Sequence, residues 1–499
     1  MTLLRRAAGE PQEGAMIQDK ARIIRELERI VGPNGVVHEE DELRVYETDG
    51  LTIFKAMPEV VVLPSTAEQV AELVKVCERE KIPYVARGAG TGLSGGALPL
   101  DGGIMVGMNR MNRILEVDYD NKRAVVEPGM VNVWLTNAVG PRGYYYAPDP
   151  ASQIACSIGG NVSENSGGVR TPKYGVTTNH IVGVEVVLPN GDRVQLGGKV
   201  PDTPGYDLLG VFVGSEGTFG IVTKVIVRLM RKPEAVKTLM AVFENLEDGS
   251  NTVSGVVAAG IVPVAIEMMD NNSIVAVEKG VGAGYPTDAG SVLVIEVDGP
   301  QAEVDALVDP IRDVCKKNNV REVRLAKDDD ERALLWKGRK AAFAAMGQIS
   351  PDYYVQDAVI PRTKLPQIMQ RISELSGEYG LRVANVFHAG DGNLHPLILY
   401  DSKNEGELHK AEEMGSKIMK ACIAMGGSIT GEHGVGREKR EYMPLMYTDD
   451  DMEAMKKVKR AFNPNGLLNP GKIFPTATPD VKVGPAGQRP IVDKVVGRT

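Results

Sequence analysis

Cysteine is scarce in this chain: four in 499 residues (Cys77, Cys156, Cys315 and Cys422), with no C-x-x-C spacing anywhere. That excludes a disulfide framework and an iron–sulfur cluster held by this chain alone. Each cysteine is expected as a small buried apolar residue. If the protein handles electrons, it must pass them to something outside itself. Long apolar runs are missing too, so no membrane-spanning segment is expected. The opening MTLLRRAAGEPQEGAM has an Arg pair but no apolar stretch behind it, and Glu10 and Glu13 intrude. A cleaved signal peptide is therefore not expected, and Met16 is an alternative start. Basic charge is not in excess: the formal net charge is −9, which argues against nucleic acid as a partner.

What is present suits a globular protein too long for one core, so two or three domains are expected. Residues 18–31 carry Ile23, Ile24, Leu27, Ile30 and Val31 at helical spacing, stopped by Gly-Pro. EVVVLP, STAEQVAELVKVCEREK and IPYVA read as strand, helix and strand, with Ser65 and Glu68 as a capping box. RILEV and RAVVE flank a polar turn, and an Asn-Gly turn joins the strands of HIVGVEVVLPNGDRVQL. From about Lys237, strands and helices alternate: KTLMAVF, VPVAIEMM, SVLVIEV, the helix QAEVDALVDPIRDVCKK, and VREVRLA. That pattern predicts a separate α+β domain. The last residues, from 476 on, are Pro/Gly-rich and aperiodic and read as a disordered tail.

Three small-residue loops interrupt the first half: RGAGTGLSGGALPLDGG (87–103), PDPASQIACSIGGNVSENSGG (148–168) and GSEGTFGIVT (214–223). Gly90, Gly92 and Gly95 match G-x-G-x-x-G, but ALPLDGGIMVGM follows and no helix opens there, so a Rossmann fingerprint is not met. Nor is there a P-loop Gly-Lys-Ser/Thr. Backbone N–H groups can converge on an anion where no Cβ intervenes. A tight turn against a sheet is the competing reading for one loop. Three loops together suit a long dinucleotide, which needs close backbone approach at several points.

The second signal is HAGDGNLHP (388–396), between the apolar runs RVANVF and LILY. A hairpin turn centred on Asp391-Gly392 pairs His388 with His395, with Cβ atoms roughly 4.5–5.5 Å apart. Two such imidazoles can share a metal ion, a proton or a carboxylate, or can simply be polar hairpin residues. SITGEHGVGREKR (428–440) adds Glu432-His433 in a Gly-flanked turn, which alone could be a solvated loop. WKGRKAAF (336–343) places Arg339 either as a carboxylate clamp or on a solvated basic helix face.

These segments resemble the FAD-linked D-2-hydroxyacid dehydrogenases of the vanillyl-alcohol-oxidase/PCMH type, over roughly residues 20–475, and within that family the glycolate-oxidising branch. The resemblance implies an α+β architecture: a PCMH-type FAD-binding domain at 18–233, then an FAD-linked oxidase C-terminal, ferredoxin-like α+β cap domain at 234–475 whose last segment returns to the flavin. It implies that Arg87, Gly88, Ala89, Gly90, Thr91, Gly92 and Ser94 line the pyrophosphate. Pro148, Asp149, Ser157, Gly160, Asn161, Asn165 and Gly167 would surround the flavin, completed by Glu216, Gly217, Ile221 and Asn469, with Lys472 a weaker candidate. The first loop has neither His nor Cys, so the FAD is expected to be non-covalent. His388, His395 and Glu432 would bind a divalent, zinc-like ion, His433 would be the base, and Arg339 would hold the substrate carboxylate.

Such residue types suit oxidation of a small 2-hydroxy acid, glycolate or D-lactate, to the 2-oxo acid. A two-His, one-carboxylate set leaves positions for the substrate's hydroxyl and carboxylate oxygens, and a neutral imidazole can take the hydroxyl proton. YYVQDAVIP lacks the basic residue that dicarboxylate-handling relatives place there, which favours a monocarboxylate. The implied partners are a second flavin-domain subunit and an iron–sulfur subunit, in the cytoplasm or peripheral at the inner face of the cell membrane. Alternatives are a D-lactate dehydrogenase without those partners and, from another class, a metal-dependent hydrolase built on the His/His/Glu set.

Overall fold

The valine run Val60–Val62 is buried on both faces, as a central parallel strand must be. It pairs in parallel with Ile104–Gly107, which pairs in parallel with Tyr84–Arg87, while Val36–Val37 closes the other edge antiparallel. Between Val60–Val62 and Tyr84–Arg87 runs the helix Ala67–Glu80, whose Val70, Leu73, Val74 and Cys77 are buried in the core. Its cap lies one residue later than expected. Thr66 accepts from Gln69 N at 3.2 Å, and the Gln69 side chain returns to Ser65 N at 2.7 Å. Thr66 is thus the cap, but Gln69 reaches past it to Ser65 N, so the reciprocal box expected at Ser65 and Glu68 does not form.

The computed structural model describes residues 17–200 and 204–476. Residues 477–499 of the expected tail lie outside them. The chain divides into two units. The first holds the sheet above and a five-stranded antiparallel sheet in the order Ile114–Asp118, Arg123–Val126, Ile221–Arg228, Ile181–Val187, Arg193–Gly197. The second carries a seven-stranded antiparallel sheet in the order Glu322–Leu325, Ala235–Phe243, Ser291–Gly299, Ala265–Asp270, Val383–Phe387, Pro396–Tyr400, Asp352–Val355. Its helices include Asp329–Ala345 and Gln301–Lys317.

Two segments fall on the other side of the expected division at 233/234. Residues 167–175 belong to the second unit and 433–476 to the first. In the first unit the chain near its end adds to the parallel sheet: Tyr84 N donates to Leu467 O, and Asn469 N to Tyr84 O. In the second unit, Lys173 and Tyr174 reach Asp298 at 2.6 and 2.8 Å. Local periodicity carries no information about such long-range anchors.

Candidate functional site

In the first unit the glycine loops are built by close approach. A Cβ on Gly88 would lie 2.1 Å from Ser157 Oγ, and one on Gly90, at φ +70°, would strike the Arg87 guanidinium at 2.2 Å. Arg87 is buried and donates to Thr48 O at 2.7 Å, so it supports the loop from beneath. Residues 88–103 contain no helix, and the strand Ile104–Gly107 follows. On the same turn Ala89 is exposed and Thr91 half-buried. Ser157 caps the helix Ile158–Glu164, accepting from Gly160 N. Asn161 is tied to Asn132 and Ser166, and Asn165, at φ +54°, ends that helix and accepts from Thr178 N. Pro148 O accepts from Asn132, and Asp149 is buried beside it.

Several expected flavin residues turn out to tie the loops to one another. The Glu216 carboxylate accepts from Val435 N and Gly436 N at 2.7 and 2.6 Å, so it anchors the segment after His433. Asn469 donates to Gly96 O and Glu216 O and accepts from Lys472, joining three segments. Gly217, at φ +65°, adjoins Asn469, and the Ile221 side chain lies in the sheet core. Beneath them sits a buried charged group that sequence reasoning overlooked. Burial pushes Glu164 well above the ordinary carboxylate range, and the Glu216 charge adds to it. Burial likewise raises Glu216, and it raises Asp49 to about 6 while lowering Lys472 to about 7. The residues fit a dinucleotide: a Cβ-free cradle, and buried donors (Arg87 Nη1, Ser94 Oγ and Ser215 Oγ) with no protein partner among the described residues.

In the second unit the hairpin forms with a different register from the expected one. His388 pairs with Asn393, exchanging backbone hydrogen bonds at 3.1 and 3.2 Å, and Asn385 pairs with Pro396. The turn centre is one residue earlier because Asp391 Oδ1 accepts from Asn393 N and Gly390 N binds Ile266 O. The pairing thereby slips by two residues, and a slip of two keeps every side chain on its face. His388 and His395 become diagonal rather than opposed neighbours, with ring centroids 5.2 Å apart.

Glu432 meets both rings. Its Oε1 lies 3.2 Å from His388 Nε2 and 3.4 Å from His395 Nε2. Nitrogen and oxygen ligands at roughly 2.0–2.1 Å in a tetrahedral array stand roughly 3.3 Å apart, so these three atoms fit one divalent ion of zinc-like size. Gly167 belongs here and not with the first-unit loops: a Cβ on it would lie 2.9 Å from Glu432 Oε2. Burial alone would drive His388 toward its neutral form, but the Glu267 and Glu432 carboxylates outweigh it and raise its pKa well above the ordinary value. His433 follows Glu432 directly and opens the 433–476 segment.

Arg339 is not on the solvated face of its helix. It is 2% exposed, on the side carrying Leu335, Gly338 and Ala342, while Lys337 points outward. Its Nη2 lies 2.5 Å from Glu267 Oε2. Two acids were missed. Glu267 interrupts the apolar run 265–269 of the strand Ala265–Asp270, and a charge inside a buried apolar run signals a partner. Asp357, fully buried, accepts from Thr430 Oγ1, Gly431 N and Glu432 N at 2.6, 2.9 and 3.2 Å and so fixes the loop that presents Glu432.

Comparisons with known proteins agree with this division of labour. Residues 58–197 match the family described as FAD binding domain, and residues 232–473 that described as FAD linked oxidases, C-terminal domain. The chain is 48% identical over 458 residues to "Glycolate oxidase subunit GlcD" of Escherichia coli (strain K12), covering 92% of each. It is 39% identical to the protein of that name from Bacillus subtilis (strain 168), over 90% of this chain and 96% of the other. To "D-lactate dehydrogenase" of Anaerostipes hadrus it is 34% identical, over 89% and 95%. Among solved structures, p-cresol methylhydroxylase with substrate bound superposes with a TM-score of 0.76 at 21% identity, over 91% of this chain and 96% of that one. 4-Ethylphenol oxidase from Gulosibacter chungangensis gives 0.75 at 20%, over 92% and 98%. Those two likenesses bear on the fold alone, that of PCMH-type flavoproteins. Matched by both domains and by relatives along nine-tenths of its length, the chain belongs to the FAD-linked oxidase family.

Proposed function

We propose that this protein oxidises a small 2-hydroxy acid, glycolate or D-lactate, to the 2-oxo acid with non-covalent FAD. The observation that carries the reading is the His388, His395 and Glu432 set, at ion-sharing separations in the unit that also buries Arg339. The relatives named as glycolate oxidase subunits and D-lactate dehydrogenase support it.

FAD, when bound, supplies the two-electron acceptor. The loops of the first unit hold it by backbone N–H groups and by buried donors such as Ser94. The divalent ion held by the His/His/Glu set would acidify the substrate hydroxyl and fix its position. Arg339 binds the substrate carboxylate, for which a guanidinium offers a planar pair of donors. His433 takes the hydroxyl proton on its imidazole, the side chain most often used for proton transfer. Asp357 keeps the Glu432 loop in place.

The electrons then leave for an outside acceptor. The word subunit in the relatives' names supports a complex, here with a second flavin-domain subunit and an iron–sulfur subunit. Among the described residues no helix is long and apolar enough to cross a membrane. The proposed location, in the cytoplasm or peripheral at the inner face of the cell membrane, is part of the same reading.

Anaerobic titration of the yellow holoprotein with glycolate, D-lactate, L-lactate and D-2-hydroxyglutarate tests the whole reading. Bleaching of the flavin by glycolate or D-lactate is expected. A flavin that none of the four reduces refutes it, and a colourless, metal-loaded protein would support the hydrolase instead.

A further inference from the structure

Glu267 has no role in the mechanism above, yet its surroundings are unusual. It is 1% exposed, in the middle of the strand Ala265–Asp270, between Ile266 and Met268. Burying an ionised carboxylate in a sheet is costly unless it is paired and hydrogen-bonded. Here two partners converge on it. The register Met268 to Phe387, continued by one residue, sets His388 opposite Glu267, and His388 Nδ1 lies 3.0 Å from Oε1 and 2.9 Å from Oε2. From the helix Asp329–Ala345, Arg339 Nη2 reaches Oε2 at 2.5 Å. One carboxylate thus touches both a ring whose other nitrogen faces Glu432 and the guanidinium assigned to the substrate.

Each contact has a consequence. An imidazole that donates a hydrogen bond from Nδ1–H to a carboxylate keeps a lone pair on Nε2, the form that binds a metal. His388 Nε2 is the nitrogen 3.2 Å from Glu432. A guanidinium held at one corner keeps its remaining donors in a fixed plane. Arg339 Nε and Nη2 are buried donors without a hydrogen bond among the described residues, Nη2 meeting Glu267 Oε2 as an ion pair, and an arriving carboxylate would satisfy Nε.

Resting on the reading under Proposed function, we propose that Glu267 is a positioning residue shared by both halves of the substrate site: it fixes the His388 tautomer for the cation and the Arg339 plane for the carboxylate, so that cation and substrate bind interdependently. Carboxylates that orient ligating histidines in this way are worth 10- to 100-fold in metal affinity. Sharing the carboxylate with Arg339 extends the effect to the substrate.

The test uses the FAD-loaded full chain. Zn²⁺ affinity is measured by chelator competition, with and without 2-hydroxy-2-methylpropanoate, a 2-hydroxy acid that lacks the Cα hydrogen and cannot be oxidised. For the unaltered protein one tight Zn²⁺ is expected, tightened further by the analogue. Glu267→Gln keeps the volume but not the charge. It should weaken Zn²⁺ 10- to 100-fold, raise KM, abolish the analogue's effect on Zn²⁺, and leave the FAD content unchanged. Equal Zn²⁺ affinity and an intact analogue effect in Glu267→Gln overturn the shared role while leaving the metal site standing. No tight Zn²⁺ in the unaltered protein overturns both. If Glu267→Gln does not fold, ¹⁵N-histidine spectra of the unaltered, Zn²⁺-loaded protein decide: His388 protonated on Nδ1 supports the proposal, and protonation on Nε2 overturns it.

Discussion

Asp357→Asn is the sharpest way to ask whether the Glu432 loop is held for the cation. The carboxylate accepts from Thr430 Oγ1 and Gly431 N on Oδ2 and from Glu432 N on Oδ1. An amide retains one acceptor. The rotamer that serves the Oδ2 pair turns its NH₂ against Glu432 N–H, leaving a donor facing a donor at a fully buried position. Losing that bond costs about 1–3 kcal/mol, and the loop can relieve it only by moving the residue that carries the ligand. A supporting group of this kind typically changes metal affinity 10- to 100-fold, about 1.4–2.8 kcal/mol. The assay is Zn²⁺ affinity by chelator competition, together with the rise in unfolding temperature that saturating Zn²⁺ produces. Asp357→Asn should lose affinity and much of that rise. Thr430→Val, which removes a single hydroxyl bond and leaves both backbone donors paired, should lose far less. A Zn²⁺ affinity in folded Asp357→Asn within twofold of the unaltered protein would refute the reasoning.

Four further outcomes are expected. His433→Ala should keep FAD, read from its visible spectrum, and lose turnover; unchanged kcat removes His433 as the base. Arg339→Ala should raise KM for the hydroxy acid far more than it weakens FAD binding. Gly436→Ala should destabilise the first unit, because φ is +52° and the new Cβ would lie 2.2 Å from Ser94 O, a backbone atom; an unchanged unfolding temperature contradicts it. Lys472, at about 7 in the fold against 10.5 when free, leaves the unfolded chain holding the extra proton between those values. Stability should therefore climb as pH rises from 7 toward 10.5, by at most about 5 kcal/mol, and that gain should be absent below 7. Lys472→Met should flatten that climb, followed by thermal unfolding across pH.

Glu432 and His433 joined the histidine pair only through the family resemblance, whereas glycine density, helical and strand periodicity and the turn between His388 and His395 are local properties, readable in one dimension. They determined the elements and the chemistry of the candidate site. The turn signal at Asp391-Gly392 placed both histidines on one face, but their register depended on Asp391 Oδ1 and on Ile266 O, which accepts from Gly390 N, lies 390 − 266 = 124 residues earlier and is invisible to hairpin rules. Whether Arg339 faces solvent or core could not be read from WKGRKAAF, since an amphipathic helix shows which residues are charged and not which one finds a buried acid. Glu267 and Asp357 had no motif at all. Their meaning lies in partners 121 and 73 to 75 residues away in sequence. The cost of burying a charge is met only where tertiary structure brings its counterpart, and so the supporting carboxylates were decided by the fold alone.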